Sequence, residues 1–215
     1  MTLHIMIDLE TLGTDPATAP IIQIAAVPFR LDEDGPADRP RPFSEQVRAV
    51  TNAHPPHCRR VSFDTVAWWA ETNPGLLVKL LKDPAAMSLS GALGNLSIWF
   101  TAIHERVEGV WANGATFDIS MLEAAYRDEG MLCPWDFRAV RDVRTMAMIA
   151  HDHDVCWTGG TITHYEATGQ KHDAQVDCLR QIRLVQQTWQ RRIIPLDQPG
   201  LTLADAAGPL GQDAG

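Results

Sequence analysis

Apolar and polar positions alternate from Ile5 to Glu10: Ile5, Ile7 and Leu9 fall on one side, Met6, Asp8 and Glu10 on the other. That period of two predicts a β-strand ending in a pair of acids that project side by side. Ile21–Phe29, rich in Ile, Val and Ala, predicts a second and largely buried strand, and Phe43–Val50 a third, across a polar loop over Leu31–Pro42. These read as an antiparallel meander. After the polar stretch Thr51–Arg60, a helical segment is expected near Ser62–Thr72, and Pro74 opens a short helix over Gly75–Lys82. Leu89, Leu93, Leu96, Phe100, Ile103 and Val107 then step by fours and threes, one apolar stripe over five turns, with Ser88 as N-cap and Gly109 as stop.

A short strand follows over Val110–Ala112, ended by Asn113-Gly114, and a helix runs from about Thr116 to Glu129, stopped by Gly130. Arg141–Ala150 reads as helical and His151–Lys171 as mostly irregular, with Gly159-Gly160 in its middle. The last long helix is Asp173–Arg191, with Ala174, Cys178, Ile182, Val185 and Trp189 on its inner face. Strands first, then helices alternating with strands, predict an α/β domain with a mixed sheet.

Composition narrows this picture. At 215 residues and 45% hydrophobic, the chain suits one packed domain over 1–192, followed by a Pro/Gly/Ala-rich tail over 193–215. The start lacks the basic and apolar runs of a signal peptide, and no segment approaches the roughly 20 apolar residues that span a bilayer. Cys58, Cys133, Cys156 and Cys178 are far apart with no C-x-x-C pair, so reduced thiols in a cytoplasmic protein are expected. A formal net charge of −9 removes the basic footprint of a tight nucleic-acid binder.

The candidate chemistry is carboxylate chemistry. Asp8 and Glu10 are spaced to grip one hard divalent cation, although a strand running out into a polar turn has the same pattern. Asp118 sits in a helix's first turn, where the macrodipole favours an acid; yet Met121, Leu122 and Ala125 place it on the inward stripe, where a carboxylate needs a partner. Asp177 flanks the buried stripe of the last helix. His172 would lie about 140° round and about 7.5 Å along from it on a continuous helix, so it belongs to the preceding loop, reaching over the same cleft. His151-Asp152-His153-Asp154 is metal-like in composition, but hydration of a polar run leaving a helix accounts for it.

Three segments together carry a resemblance. Asp8-Leu9-Glu10-Thr11, Asn113-Gly114-Ala115-Thr116-Phe117-Asp118 and His172-Asp173-Ala174-Gln175-Val176-Asp177 resemble, in order, the D-x-E-T, N-x-x-F-D and H-x-A-x-x-D motifs of the DEDDh 3′–5′ exonucleases. The resemblance covers residues from about 3 to 190. It implies a ribonuclease H-like fold with a mixed five-stranded sheet flanked by helices. It also implies hydrolysis of single-stranded or overhanging nucleic-acid 3′ ends to 5′-mononucleotides, RNA slightly ahead of DNA, with two divalent ions, Mg²⁺ or Mn²⁺. In that scheme Asp8 bridges both ions, Glu10 and Asp177 complete one site, Asp118 supports the second, and His172 takes the proton from the attacking water. Thr11, Leu12 and Gly13 receive the terminal nucleotide, with Asn113 and Phe117 beside them.

Val66-Ala67-Trp68-Trp69 and the stretch Phe137–Thr145, with Arg138, Arg141 and Arg144, resemble the small stand-alone phage and bacterial branch. Trp68 and Trp69 are either base-stacking platforms or core aromatics. The three arginines either steady phosphates or pair on the surface. Val176-Asp177-Cys178 departs from relatives that carry an acid or Ala after the aspartate, and leaves the ligand in place. The acidic balance suits an enzyme that recognises a few terminal nucleotides better than one that coats strands. A catalytically silent binding module of the same fold is the alternative, and a ribonuclease H-type endonuclease, which lacks the histidine motif, is a second. No membrane partner is expected, and monomer and homodimer both stay open.

Overall fold

The computed structural model describes residues 2–49, 59–151, 157–158, 161–162 and 172–192. Five strands form one sheet: β1 (Leu3–Thr11), β2 (Ile21–Phe29), β3 (Phe43–Gln46), β4 (Val107–Ala112) and β5 (Val140–Asp142). Their order across the sheet is β3-β2-β1-β4-β5. β1–β2 and β2–β3 are antiparallel, whereas β4 and β5 run parallel to β1, which makes the sheet mixed. A separate two-stranded pair joins β6 (Trp157–Thr158) to β7 (Thr161–Ile162). The helices are α1 (Phe63–Thr72), α2 (Pro74–Lys82), α3 (Leu89–Thr101), α4 (Asp118–Asp128), α5 (Val143–His151) and α6 (Ala174–Arg192).

Helices cover both faces of the sheet, so β1 is buried on both sides. Its odd residues Leu3, Ile5, Ile7 and Leu9 pack with Leu93, Leu96 and Phe100 of α3 and Met121, Leu122 and Ala125 of α4. Met6 faces the other way, against Val143 and Ala147 of α5 and Ala174, Cys178, Ile182 and Val185 of α6. Because Asp8 and Glu10 share the parity of Met6, strand geometry alone turns them toward the α6 side. A smaller cluster of Leu12, Ile22, Trp69, Leu76, Leu77 and Leu80 seats α1 and α2 on the end of β1 and β2.

Several expected boundaries move. The helix predicted to run to Gly109 stops at Thr101: Ile103 N–H turns back to the Phe100 carbonyl, and Val107 opens β4 by pairing with Leu3. Gly109 is therefore a strand residue. A Cβ there would fall 2.7 Å from His4 Nδ1 and 2.8 Å from Trp111 Nε1, so glycine makes room for the Trp111-to-His4 hydrogen bond. β3 ends at Gln46, four residues early, as Arg48 leaves the sheet and bonds the Met87 carbonyl. β5 occupies residues read as loop and helix start, so α5 begins at Val143.

Other signals hold. Ser88 caps α3 by accepting from Gly91 N–H, and Pro74 opens α2 behind Asn73. Gly130, at φ 66°, ends α4 with paired bonds from Gly130 N–H to the Arg127 carbonyl and from Met131 N–H to the Tyr126 carbonyl. The tail expected over 193–215, most of the irregular stretch His151–Lys171 including Asp152, His153 and Asp154, and Cys58 and Cys156 lie outside the described residues.

Candidate active site

The site forms where β1 outruns its parallel partner. β1 pairs with β4 only from Leu3 to Met6, so the backbone beyond is open on that side, and the Leu9 N–H donates to Asp118 Oδ1 at 3.2 Å. Register also slips between Glu10 and Thr11 against β2, a bulge that ends regular pairing beside the acids. A crevice at the carboxyl end of parallel strands is the usual binding place in α/β sheets.

Asp8, Glu10 and Asp177 each offer a carboxylate oxygen, and these atoms lie within 4.8 Å of one another. α6 delivers Asp177 because Asp173 caps it, accepting from Gln175 and Val176 N–H at 3.1 and 3.3 Å. Gln23 on β2 accepts from Ala174 N–H at 3.1 Å and fixes where the helix starts. Asp177 is held on both sides: Oδ2 accepts from His172 N–H at 3.0 Å, and Oδ1 lies 2.6 Å from Arg180 Nη1. Gln181, one turn after Asp177, donates from Nε2 to Asp8 Oδ1 at 2.6 Å, while its own Oε1 is buried with no hydrogen-bond partner.

The electrostatics follow from burial and crowding. Burial first, then the charges of Asp118 and Asp177, push the Asp8 carboxyl well above its ordinary value. Burial, with Asp8 next, pushes Glu10 up to about 11. Burial pushes Asp118 up to about 7, against the opposing pull of the Leu9 N–H and Arg144. Buried and half-buried acids that repel one another and share only oxygen donors fit a hard divalent cation of the Mg²⁺ or Mn²⁺ kind. Asp8, Glu10 and Asp177 would hold it directly; Asp118 stands beside them, engaged by the Leu9 N–H.

His172 adopts φ 64°, a left-handed conformation uncommon for a side-chain-bearing residue. Its ring meets Trp68 edge-on, centroids 4.8 Å apart, and Trp68 meets Trp69 at 5.4 Å. The two tryptophans differ in role. Trp69 is 1% exposed and donates from Nε1 to the Thr11 carbonyl at 3.0 Å, so its ring offers no face to a base and it serves as a core anchor. Trp68 is 43% exposed and is the aromatic open to stacking.

The expected nucleotide wall is likewise packed. Leu12 lies in the α1–α2 core, and Thr11 Oγ1 donates to the Gly13 carbonyl at 2.8 Å. Ser62 N–H reaches the Leu12 carbonyl, which lays the approach to α1 over this segment. Leu12 therefore has no free side chain to wedge against a base. Asn113 Oδ1 is buried without a partner, and Phe117 packs partly buried against the α3–α4 core. Arg138 pairs with Asp136 at 3.9 Å on the surface, whereas Arg141 donates to the Arg138 and Val140 carbonyls and forms no ion pair among the described residues. Gln181 and Arg180 were not singled out from the sequence, although their positions three and four residues after Asp177 put them on its helical face.

The mixed five-stranded sheet with helices on both faces is a ribonuclease H-like architecture, with Asp8, Glu10 and Asp177 meeting at one strand end and Asp118 and His172 hydrogen-bonded beside them. The chain belongs to the Rv2179c-like 3′–5′ exoribonuclease domain family, whose model matches residues 3–189. Among solved structures it is similar to cell-death related nuclease 4 (CRN-4), with TM-score 0.64 and 15% identity over 89% of this chain and 65% of that one. The nuclease domain of 3′hExo, a DEDDh family member bound to rAMP, aligns with TM-score 0.59 and 14% identity over 88% of this chain and 92% of that one. E. coli exonuclease I in complex with a dT13 oligonucleotide aligns with TM-score 0.61 and 16% identity, covering 87% of this chain but 41% of that one. No curated protein sequence matches the chain.

Proposed function

We propose that this protein is a metal-dependent 3′–5′ exonuclease that releases 5′-mononucleotides from the free 3′-hydroxyl end of single-stranded nucleic acid, RNA ahead of DNA. The observation that carries the reading is the convergence of Asp8, Glu10 and Asp177 within 4.8 Å, with Asp118 bonded to the next backbone N–H and His172 bonded to Asp177. The exoribonuclease description of the family supports RNA. A silent binding module would be expected to have lost a ligand or the histidine, and all five residues are present.

Two divalent ions held by Asp8, Glu10, Asp177 and Asp118 would supply a nucleophile at neutral pH and neutralise the phosphate. The chain's own residues do the rest. Gln181 orients Asp8, and the His172 N–H with Arg180 orients Asp177, so the carboxylates meet the cleft in a fixed arrangement. The His172 imidazole takes the proton of the attacking water as its oxygen bonds to phosphorus; the bond from phosphorus to the preceding nucleotide's 3′ oxygen breaks, and that departing oxygen takes a proton from solvent water to become the new 3′-hydroxyl of the shortened strand. Trp68, beside that imidazole, presents the exposed ring on which a base stacks.

The test uses matched RNA and DNA oligomers carrying a 5′ label, in Mg²⁺ or Mn²⁺. A ladder shortening from the 3′ end, faster on RNA, is expected. Cleavage of a closed circle, or undiminished activity on a 3′-blocked strand, refutes the directional reading.

A further inference from the structure

Arg144 occupies the first turn of α5 and is exposed. Its guanidinium lies face-on to the Asn113–Phe117 turn that carries Asp118. A Cβ at Gly114 would fall 2.9 Å from Cζ, 3.1 Å from Nη2 and 3.2 Å from Nη1, and near-equal distances place that point over the guanidinium plane. Gly114 is at φ +105°, so both its backbone and this close approach call for glycine. Asp142 fixes the platform. Its Oδ2 accepts from Ala115 N–H at 2.7 Å and its Oδ1 from Thr145 N–H at 3.0 Å, tying the turn to the start of α5.

No ion pair among the described residues accounts for the cation, although its charge acts on Asp118. Arg30, Arg59, Arg106, Arg138 and Arg180 each sit within 4.0 Å of a carboxylate; among the described residues Arg144, like Arg48 and Arg141, forms no ion pair, and unlike those two it makes no hydrogen bond either. A positive charge in a helix's first turn also opposes the macrodipole. With its face against Gly114, the group keeps its in-plane N–H donors for a ligand, and a planar fork of donors matches the oxygens of a phosphate. Its field reaches Asp118.

We infer that Arg144, clamped flat on Gly114 at the rim of the carboxylate site, is a phosphate-binding residue that grips a backbone phosphate of the bound nucleic-acid strand. In a chain of net charge −9 it is a fixed cation at the mouth of an acidic cleft, placed to hold a polyanion that the carboxylates would otherwise repel. The inference rests on the exonuclease reading for its choice of ligand.

The experiment compares wild type with Arg144→Gln and Arg144→Lys, using a fluorescein-labelled single-stranded decanucleotide in Ca²⁺, with anisotropy read across a salt series. Hydrolysis is assayed separately in Mg²⁺. Arg144→Gln should raise the Kd about tenfold or more and flatten the log Kd against log salt slope by about 0.7. Arg144→Lys, which keeps the charge and loses the fork, should fall between. The melting temperature of Arg144→Gln should equal or exceed wild type; a fall of several degrees would mark the residue as structural and overturn the inference. If wild type hydrolyses the strand while both variants bind it with unchanged affinity and slope, the Arg144 inference fails alone. If wild type binds without hydrolysing and Arg144→Gln weakens binding, the exonuclease reading fails and the phosphate site stands. If wild type neither binds nor hydrolyses, both fall.

Discussion

Gln181 Nε2 donates to Asp8 Oδ1 at 2.6 Å, so the last helix holds the first strand's central carboxylate from behind. This contact joins residues 173 positions apart and leaves Gln181 Oε1 buried with no hydrogen-bond partner among the described residues. Replacing Gln181 with Met keeps the volume and removes the donor. Removing an outer partner of a metal ligand typically lowers metal affinity by about 10–100-fold. A Mn²⁺ titration followed by thermal shift should show that weakening in Gln181→Met; an unchanged midpoint would mean that Asp8 orients without it.

Asp8 itself should be dispensable for folding. Two like charges about 4 Å apart repel by roughly 4 kcal/mol at an effective dielectric of 20, and protonation relieves part of this. Asp8→Asn should abolish hydrolysis, leave the metal-free protein as stable as wild type or more so, and blunt the stabilisation that Mg²⁺ or Mn²⁺ produces by mass action. A metal-free variant melting several degrees lower would make Asp8 a structural acid.

The raised carboxyls also set a pH dependence. Asp118 is pushed from 3.8 up to about 7 and Glu10 from 4.5 up to about 11, so between those limits the native state binds more protons than the unfolded chain. Their contribution to stability is complete below the ordinary carboxyl values and is lost as pH rises, first through 7 for Asp118 and then toward 11 for Glu10. Metal-free protein should therefore melt higher at about pH 5.5 than at about pH 8.5, and metal binding at pH 7 should release protons. Calorimetry in buffers of different ionisation enthalpy measures that release; none, with a flat melting profile, would show that the acids are ionised without metal.

Much of this centre was legible because it is written in short local patterns. The alternation over Ile5–Glu10 fixed which side the acids take, and the five-residue gap from His172 to Asp177 excluded a continuous helix, as the φ of 64° at His172 bears out. The elements that escaped are those chosen by distant partners. Ile103 does pack on the same core as Leu93 and Phe100, but from a turn, because pairing of Val107 with Leu3 captures the chain for β4. Val140–Asp142 is too short to carry a periodic signal and is a strand only because β4 lies beside it. Trp68 and Trp69 are chemically identical neighbours, and only the Thr11 carbonyl and the α1–α2 packing decide which is buried.

His172 provides the sharpest test of the chemistry, provided the replacement respects its backbone. At φ 64° an ordinary side chain is strained, whereas Asn, like His, tolerates the left-handed region. His172→Asn should therefore keep the main-chain bond from residue 172 to Asp177 Oδ2 and with it the carboxylate arrangement. Its metal-induced thermal shift should match wild type while hydrolysis falls by about 10²–10⁴, the usual worth of a positioned general base. Trp68→Ala removes the nearer of the two tryptophan rings that meet the imidazole edge-on, at 4.8 and 6.1 Å, and so loosens its seat, predicting a smaller fall with the metal shift again intact. Full activity in His172→Asn would remove the imidazole from the reaction. Loss of the metal shift in the same variant would instead show that residue 172 acts through Asp177, by shaping the ligand rather than by taking a proton.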